Sequence, residues 1–306
     1  MPILRSRDRA RSGSRVAAAN AHPAASPPLA PAAWSAPSAR EIGRLAKLFR
    51  PLAWYTHPLL LGVEHVPTSG PALLVGNHTI LGVYDLPLLF LGLWESRRIL
   101  PRSLGHHAHF RIPVWRDFLS RFGAVEGTRE NCARLFDAGE FVLVFPGGGR
   151  EVAKRRGERY QLLWKNRLGF ARMAIRHRVP IIPFAAVGAE DAWDIVADAN
   201  LVLRSPLGKL LARTRLPIEE MLFPLVRGIG PTPIPRPERL YFQFQRPIAT
   251  TRYRGAWQDD DACSALRDRV RASVERGIRD LRRRQGSDPE RWRFPGPWSA
   301  RAAKAR

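Results

Sequence analysis

A histidine stands just beyond a short apolar run. Pro71-Ala-Leu-Leu-Val-Gly76 leads into Asn77-His78, and Asp85 follows after six intervening residues. A neutral imidazole takes a proton from a hydroxyl near pH 7. A carboxylate within reach fixes its tautomer and stabilises the imidazolium, which is half of a nucleophile–base–orienter set. No G-x-S-x-G elbow supplies a serine nucleophile, so the pattern favours direct attack by a substrate hydroxyl that His78 activates. One His/Asp pair by itself is more often structural than catalytic.

A second cluster follows the apolar run Phe141–Phe145, as Phe145-Pro146-Gly147-Gly148-Gly149-Arg150-Glu151. Three glycines let a backbone approach a ligand closely and turn amide N–H groups toward an anion or oxyanion. Arg150 carries a bidentate fork suited to phosphate or carboxylate. A plain glycine-rich turn would read the same way.

The two clusters are joined by two further blocks, Gly123-Ala-Val-Glu-Gly-Thr-Arg129 and Val179-Pro180-Ile181-Ile182-Pro183. In order and separation the four resemble the glycerolipid acyltransferase superfamily, the glycerophosphate and lysophosphatidate acyltransferases, over about residues 60–250. The matching patterns are N-H-x-x-x-x-D, G-x-x-x-x-x-R, F-P-E-G-T-R and V-P-hydrophobic-x-P. Two departures stand out. The spacing from His78 to Asp85 is two residues longer than the family's, and Gly147 stands where the family has glutamate, with Glu151 after the arginine. The form P-G-G-x-R-E, with Trp164-Lys-Asn-Arg167-Leu-Gly-Phe170 beyond it, resembles the diacylglycerol acyltransferase and phytyl ester synthase branch, which acylates neutral lipids.

The resemblance implies the following roles. His78 is the base and Asp85 its orienter. Backbone amides at Gly147, Gly148 and Gly149 stabilise the oxyanion. Arg129 and Arg150 hold a phosphate of the thioester carrier or of the acceptor, with a structural ion pair as the other reading of each. Glu151 contacts an acceptor hydroxyl or pairs with an arginine. The acyl donor is a thioester, acyl-CoA or an acyl carrier protein, used as co-substrate, with no resident cofactor and no metal. The acceptor is a lipid alcohol; a phosphate-bearing lysophospholipid is the alternative.

Positioning these groups takes an α/β fold. Pro71–Gly76, Phe122–Val125, Phe141–Phe145, Val179–Val187 and Leu240–Phe244 read as strands, alternating with helical patterns over Pro113–Phe122, Arg129–Ala138 and Leu163–His177. A single layered domain with a mixed, mostly parallel sheet flanked by helices is expected, and a histidine at a strand's carboxyl end is where such folds place ligands. Ser38 and Glu41 form a capping-box pattern opening an amphipathic helix, whose stripe Ile42, Leu45, Leu48, Phe49 and Leu52 suits either a membrane surface or the core. A final helix capped at Asp259–Asp261 carries Leu266, Val270, Val274, Ile278 and Leu281 on one face. Asp191–Asp198 reads as a solvated acidic helix, and Leu207–Gly230 as a helical stretch broken by prolines.

The chain of 306 residues carries a net charge of +23, with +5 in residues 1–40, +6 in residues 282–306 and +12 between them. An excess spread through the body points to phosphate, on an anionic membrane or in nucleic acid. No zinc-finger spacing, RNP-type motif or basic zipper marks a specific nucleic-acid binder, so an anionic membrane surface is the expected partner. A non-catalytic basic membrane- or nucleic-acid-binding protein is the alternative from another class. The longest apolar stretch, Leu73–Trp94, contains Asn77, His78 and Asp85 and therefore reads as core plus site rather than a span. These features imply membrane association on the cytoplasmic face. Residues 1–37 form an expected disordered basic tail, 38–282 the acyltransferase domain, and 283–306 a basic C-terminal tail. Lys154, Arg155 and Arg156 are candidates to meet headgroups or carrier phosphates. His106, His107 and His109 line a surface or channel in preference to a metal site. Cys132 and Cys263 read as packing residues.

Overall fold

The computed structural model describes residues 37–82, 84–205 and 222–294. Residues 1–36 and most of Leu207–Gly230 lie outside these, and with them the expected N-terminal tail. Helix α1 spans Ala39–Thr56, strand β1 Leu59–Leu61, β2 Ala72–Gly76, α2 Leu86–Arg97 and β3 Arg102–Gly105. Next come α3 His107–Phe110, α4 Pro113–Arg121, β4 Val125–Glu126, α5 Arg129–Asp137 and β5 Phe141–Val144. They are followed by α6 Gly149–Val152, α7 Gly169–Arg176, β6 Ile181–Val187, β7 Asp194–Ala197 and α8 Ala199–Leu203. The last described elements are β8 Leu225–Arg227, β9 Tyr241–Phe244 and α9 Asp260–Ser287.

Seven strands form one sheet in the order β1-β9-β6-β2-β5-β3-β4. β6, β2, β5, β3 and β4 run parallel to one another. β9 is antiparallel to β6 and carries β1 parallel beside it. The sheet is thus mixed and mostly parallel, flanked by helices, as the sequence pattern implies. Every residue of β2 and β6 is buried, which is why their sequences are continuously apolar rather than alternating. Leu88, Leu89 and Leu93 of α2 share a core with Leu74, Leu143, Ile182 and Phe242 on one face of the sheet. The opposite face takes α9. Gly277 lets it approach so closely that a Cβ there would lie 2.9 Å from the Cβ of Ala185. Burial of α9's stripe Leu266, Val270, Val274 and Leu281 supplies the apolar drive.

Of the two readings open for α1, its apolar stripe takes the core: Ile42 is buried and Leu52 packs on the core, leaving only Leu48 of that stripe exposed. Other expectations need correction. Asp191–Asp198 is not a helix. Asp194–Ala197 is a strand paired antiparallel with Leu225–Arg227, and Asp194 gathers Arg159, Arg227 and Arg236. Helix α7 begins at Gly169 rather than Leu163, because residues 163–168 are drawn into the site. The boundary expected at residue 283 falls inside α9, which runs to Ser287 with Gln285 buried and bonded to Glu238. Beyond it, Asp288 and Arg291 are tied to Arg239 and Glu238.

Candidate active site

Adjacent parallel strands β2 and β5 place His78 and the glycine run side by side at their carboxyl ends. Asn77 sets the exit of β2. Its Nδ2 donates to the Ala186 carbonyl at 2.9 Å and its Oδ1 accepts from the Ala186 N–H at 2.8 Å. A buried amide that satisfies one backbone residue twice pins the two strands and fixes where the next residue leaves the sheet. The half-buried His78 ring stacks on Phe145, with centroids 4.1 Å apart and planes 19° apart. Gly82, at φ 64°, backs the ring: a Cβ there would lie 2.7 Å from His78 Cε1.

The described residues between His78 and Asp85 form a connection rather than a helical turn, and α2 starts only after Asp85. The longer spacing between the two residues is therefore absorbed by loop. The structure makes no hydrogen bond between them. His78 Nδ1 and Asp85 Oδ1 are each buried without a hydrogen-bond partner. Burial holds the imidazole down to about 3, helped by the charges of Lys154 and His109. Burial likewise pushes Asp85 up to about 6. At neutral pH the imidazole is neutral and the carboxylate ionised, each with one polar atom still unspent.

The glycine run divides. Gly148 sits at φ 53°, ψ −146°, a conformation open essentially to glycine alone. Its N–H donates to the Phe145 carbonyl at 3.0 Å, so of the expected oxyanion donors Gly148 is already committed. Gly147 and Gly149 flank it, one on the strand side and one at the start of α6. Arg167 lies over this turn, donating to the Pro146 carbonyl at 2.8 Å. Arg167 carries no role in the Trp164–Phe170 pattern by itself; its place follows from the turn at Lys165, where φ is 49°.

Two expected substrate contacts are corrected. Arg150 is 6% exposed, and its guanidinium donates to the Ala153 carbonyl and pairs with Glu158. It locks the 150–158 loop and presents no free fork to a ligand. Glu151 is fully buried and accepts main-chain N–H groups instead of meeting an acceptor hydroxyl. Arg129 differs. It is exposed at the start of α5 and makes no ion pair among the described residues. With β4 two strands beyond β5, it stands at the same edge of the sheet, about 10 Å to the side at the usual strand spacing.

Of the basic triplet only Lys154 is buried, while Arg155 is half-buried and Arg156 exposed, each bonded to the protein. Lys154 is buried against Glu190, Arg155 donates to Asn200 at 3.0 Å, and Arg156 donates to the Ile195 carbonyl at 3.0 Å. His109, grouped at first with two neighbouring histidines, accepts from Trp115 Nε1 at 3.1 Å. Its charge acts on His78. No group of three His, Cys, Asp or Glu among the described residues converges as a metal would require.

Comparison with known proteins finds a family match for part of the chain. A family model described as Acyltransferase matches residues 60–187, a span that contains His78, Asp85, the glycine run and the whole of β2 to β6. These residues form an acyltransferase-family domain. Phytyl ester synthase 1, chloroplastic, of Arabidopsis thaliana is 31% identical over 249 residues, covering 76% of this chain and 35% of that protein. A protein of Bos taurus named "DGAT1/2-independent enzyme synthesizing storage lipids" is 35% identical over 125 residues, covering 40% of this chain and 36% of its own. The chain thus spans about a third of the length of these relatives. The 1-acyl-sn-glycerophosphate acyltransferase of Thermotoga maritima superposes with a TM-score of 0.48 at 17% identity, over 79% of each chain.

Proposed function

We propose that this protein transfers an acyl group from a thioester to a lipid hydroxyl at a membrane surface, with His78 as general base. The observation that carries the reading is the neutral imidazole at the end of β2, stacked on Phe145 beside a glycine turn, with its Nδ1 unspent. His78 takes the hydroxyl proton as the oxygen attacks the thioester carbonyl. The tetrahedral oxyanion is stabilised by main-chain donors of the glycine turn, Gly147 and Gly149 being the candidates once Gly148 is spent. Collapse forms the ester and breaks the C–S bond, and the imidazolium returns its proton to the leaving thiolate. A base held near 3 is weak until its charged form is supported. Closure of the His78–Asp85 hydrogen bond on substrate binding supplies that support, since such contacts often tighten only in the complex. The reaction so written needs no resident cofactor.

The names of the relatives support a neutral lipid alcohol as acceptor. The loss of Arg150 as a free fork points the same way. Arg129 is the one observation that favours a phosphate partner. A phosphate on the thioester carrier serves it as well as a phosphorylated acceptor does.

No helix among the described residues is long and apolar enough to cross a membrane. A surface beside the site suits docking on one. Ile112 is 58%, Val114 82% and Phe118 43% exposed. Arg111, Arg116 and Arg121 lie among them on α4 and its approach. Apolar side chains interleaved with arginine fit an anionic bilayer. Phe118 meets Phe122, which meets Phe49 of α1, so α1 with exposed Leu48 continues the surface.

The test is mass spectrometry of the lipids formed from labelled acyl-CoA with long-chain alcohols, mono- and diacylglycerols and lysophosphatidate, for the wild type and His78→Ala. General-base loss should cost about 10²–10⁴-fold in kcat with folding intact. Unchanged transfer by His78→Ala would remove His78 from the chemistry. Preference for lysophosphatidate would replace the acceptor assigned here.

A further inference from the structure

We propose that Glu151 is the positioning residue of the base: from α6 its carboxylate fills the space in front of Gly147 and ties the main chain of His78 to that of Leu163. The inference rests on His78 being the base. It goes beyond that reading by explaining why this chain places glycine and glutamate where it does.

Glu151 is fully buried, so it does not meet an incoming lipid. Its two oxygens go to different segments. Oε2 accepts the His78 N–H at 2.9 Å and Oε1 accepts the Leu163 N–H at 2.9 Å. A second bond runs parallel to the first, from the Leu81 N–H to the Val152 carbonyl at 3.1 Å. The loop that carries the base is therefore fastened twice to α6, and the glycine turn and residues 163–168 are gathered onto the same carboxylate.

Gly147 leaves room for that carboxylate. A Cβ at 147 would lie 2.1 Å from both Cγ and Cδ of Glu151. Residue 147 can have no side chain while Glu151 points inward. Conversely, a glutamate at 147 would start in the volume that Glu151 now fills. The acyltransferase pattern quoted above has glutamate at that position, and here the same volume is filled by the carboxylate arm of Glu151 from α6. A buried carboxylate held by two N–H donors orients what it binds without touching substrate.

The charged groups that act on Glu151 are Lys154 on its own segment and Glu190 from the turn after β6. Burial outweighs the pull of Lys154 and of the two amides and raises the carboxyl to about 7. The Glu151 proton is thus readable from the amides it holds.

The experiment compares the wild type with Glu151→Gln, Glu151→Ala and the double variant Gly147→Glu/Glu151→Gly. Amide signals of His78 and Leu163, which are far apart in sequence, should shift together as pH passes about 7 in the wild type, and this common transition should vanish in Glu151→Gln. With acyl-CoA, Glu151→Gln should lower kcat by about 10-fold or more with KM within about 2-fold, as a displaced base does. The double variant should regain much of that loss. Should Glu151→Ala fail to fold, the glutamine and double variants still decide. A Glu151→Gln enzyme with wild-type kcat and only a lower Tm would overturn the proposal, as would two amides that titrate independently. A wild type without transferase activity would defeat the functional reading, while the amide titration would still decide this one.

Discussion

Replacing Lys154 by methionine tests how the site is held. Lys154 and Glu190 are each 1% exposed and in direct contact. The other oxygen of Glu190 accepts the Tyr160 N–H. Methionine keeps most of the volume and deletes the charge. Glu190 is then a buried carboxylate with one main-chain donor left, and burial already raises its pKa even with Lys154 present. Breaking one half of a buried pair costs about 3–5 kcal/mol, because the partner stays uncompensated. For a domain of this size that is a fall of roughly 10 °C in Tm. Protonation is the escape route. In the variant Glu190 binds its proton more tightly folded than unfolded, so stability falls as pH rises, and the loss is greatest at pH 8 and smaller at pH 5. Lys154→Met/Glu190→Gln should recover most of the stability, since both charges are gone together. Scanning calorimetry of the wild type and the two variants at both pH values measures this. A loss under about 1 kcal/mol at pH 8, the value of a surface pair, would refute the argument. So would a loss independent of pH, or a double variant no better than the single.

Two further outcomes follow from the site and its surroundings. Asp85 is raised to about 6 from 3.8, so the folded state binds its proton more tightly, and the charged carboxylate costs stability at any pH above about 6. Asp85→Asn should therefore keep or raise Tm at pH 8, lose that advantage by pH 4, and lower transfer throughout; a large Tm loss at pH 8 would contradict the assignment. Replacing Ile112, Val114 and Phe118 together by serine removes the exposed apolar groups near α4 and should weaken sedimentation with anionic liposomes while leaving Tm near that of the wild type; unchanged binding, or tighter binding to duplex DNA than to liposomes at physiological salt, would move the docking surface elsewhere.

The elements that carry the chemistry could be read locally. Continuous apolar runs announced β2, β5 and β6, because strands covered on both faces leave no polar alternation. The capping box at Ser38 and Glu41 is present, with Ser38 N–H to Glu41 Oε2 at 2.8 Å. Asp259 caps α9 through the Asp261 and Ala262 amides. Short strands were harder. Arg102–Gly105 and Leu59–Leu61 exist because a neighbouring strand offers them hydrogen bonds; the first carries no apolar signal and the second, though apolar, is only three residues long. Asp194–Ala197 reads as helix in the sequence for the same reason: its pairing with Leu225–Arg227 is decided about 30 residues away.

By itself the sequence determined which chemical groups stand at the ends of which strands: His78 after β2 and three glycines after β5. Apolar pattern and glycine conformation act over a few residues, so both are legible in one dimension. The partner of each charged side chain was decided only in three dimensions. Arg150 and Lys154 look like phosphate ligands in the chain, yet Glu158 and Glu190 consume them. Glu151 looks free, yet it turns inward to His78 and Leu163. The physical reason is the cost of burial: once packing removes water from these groups, each must take whatever opposite charge or N–H lies within about 3 Å, and only the tertiary structure sets that distance.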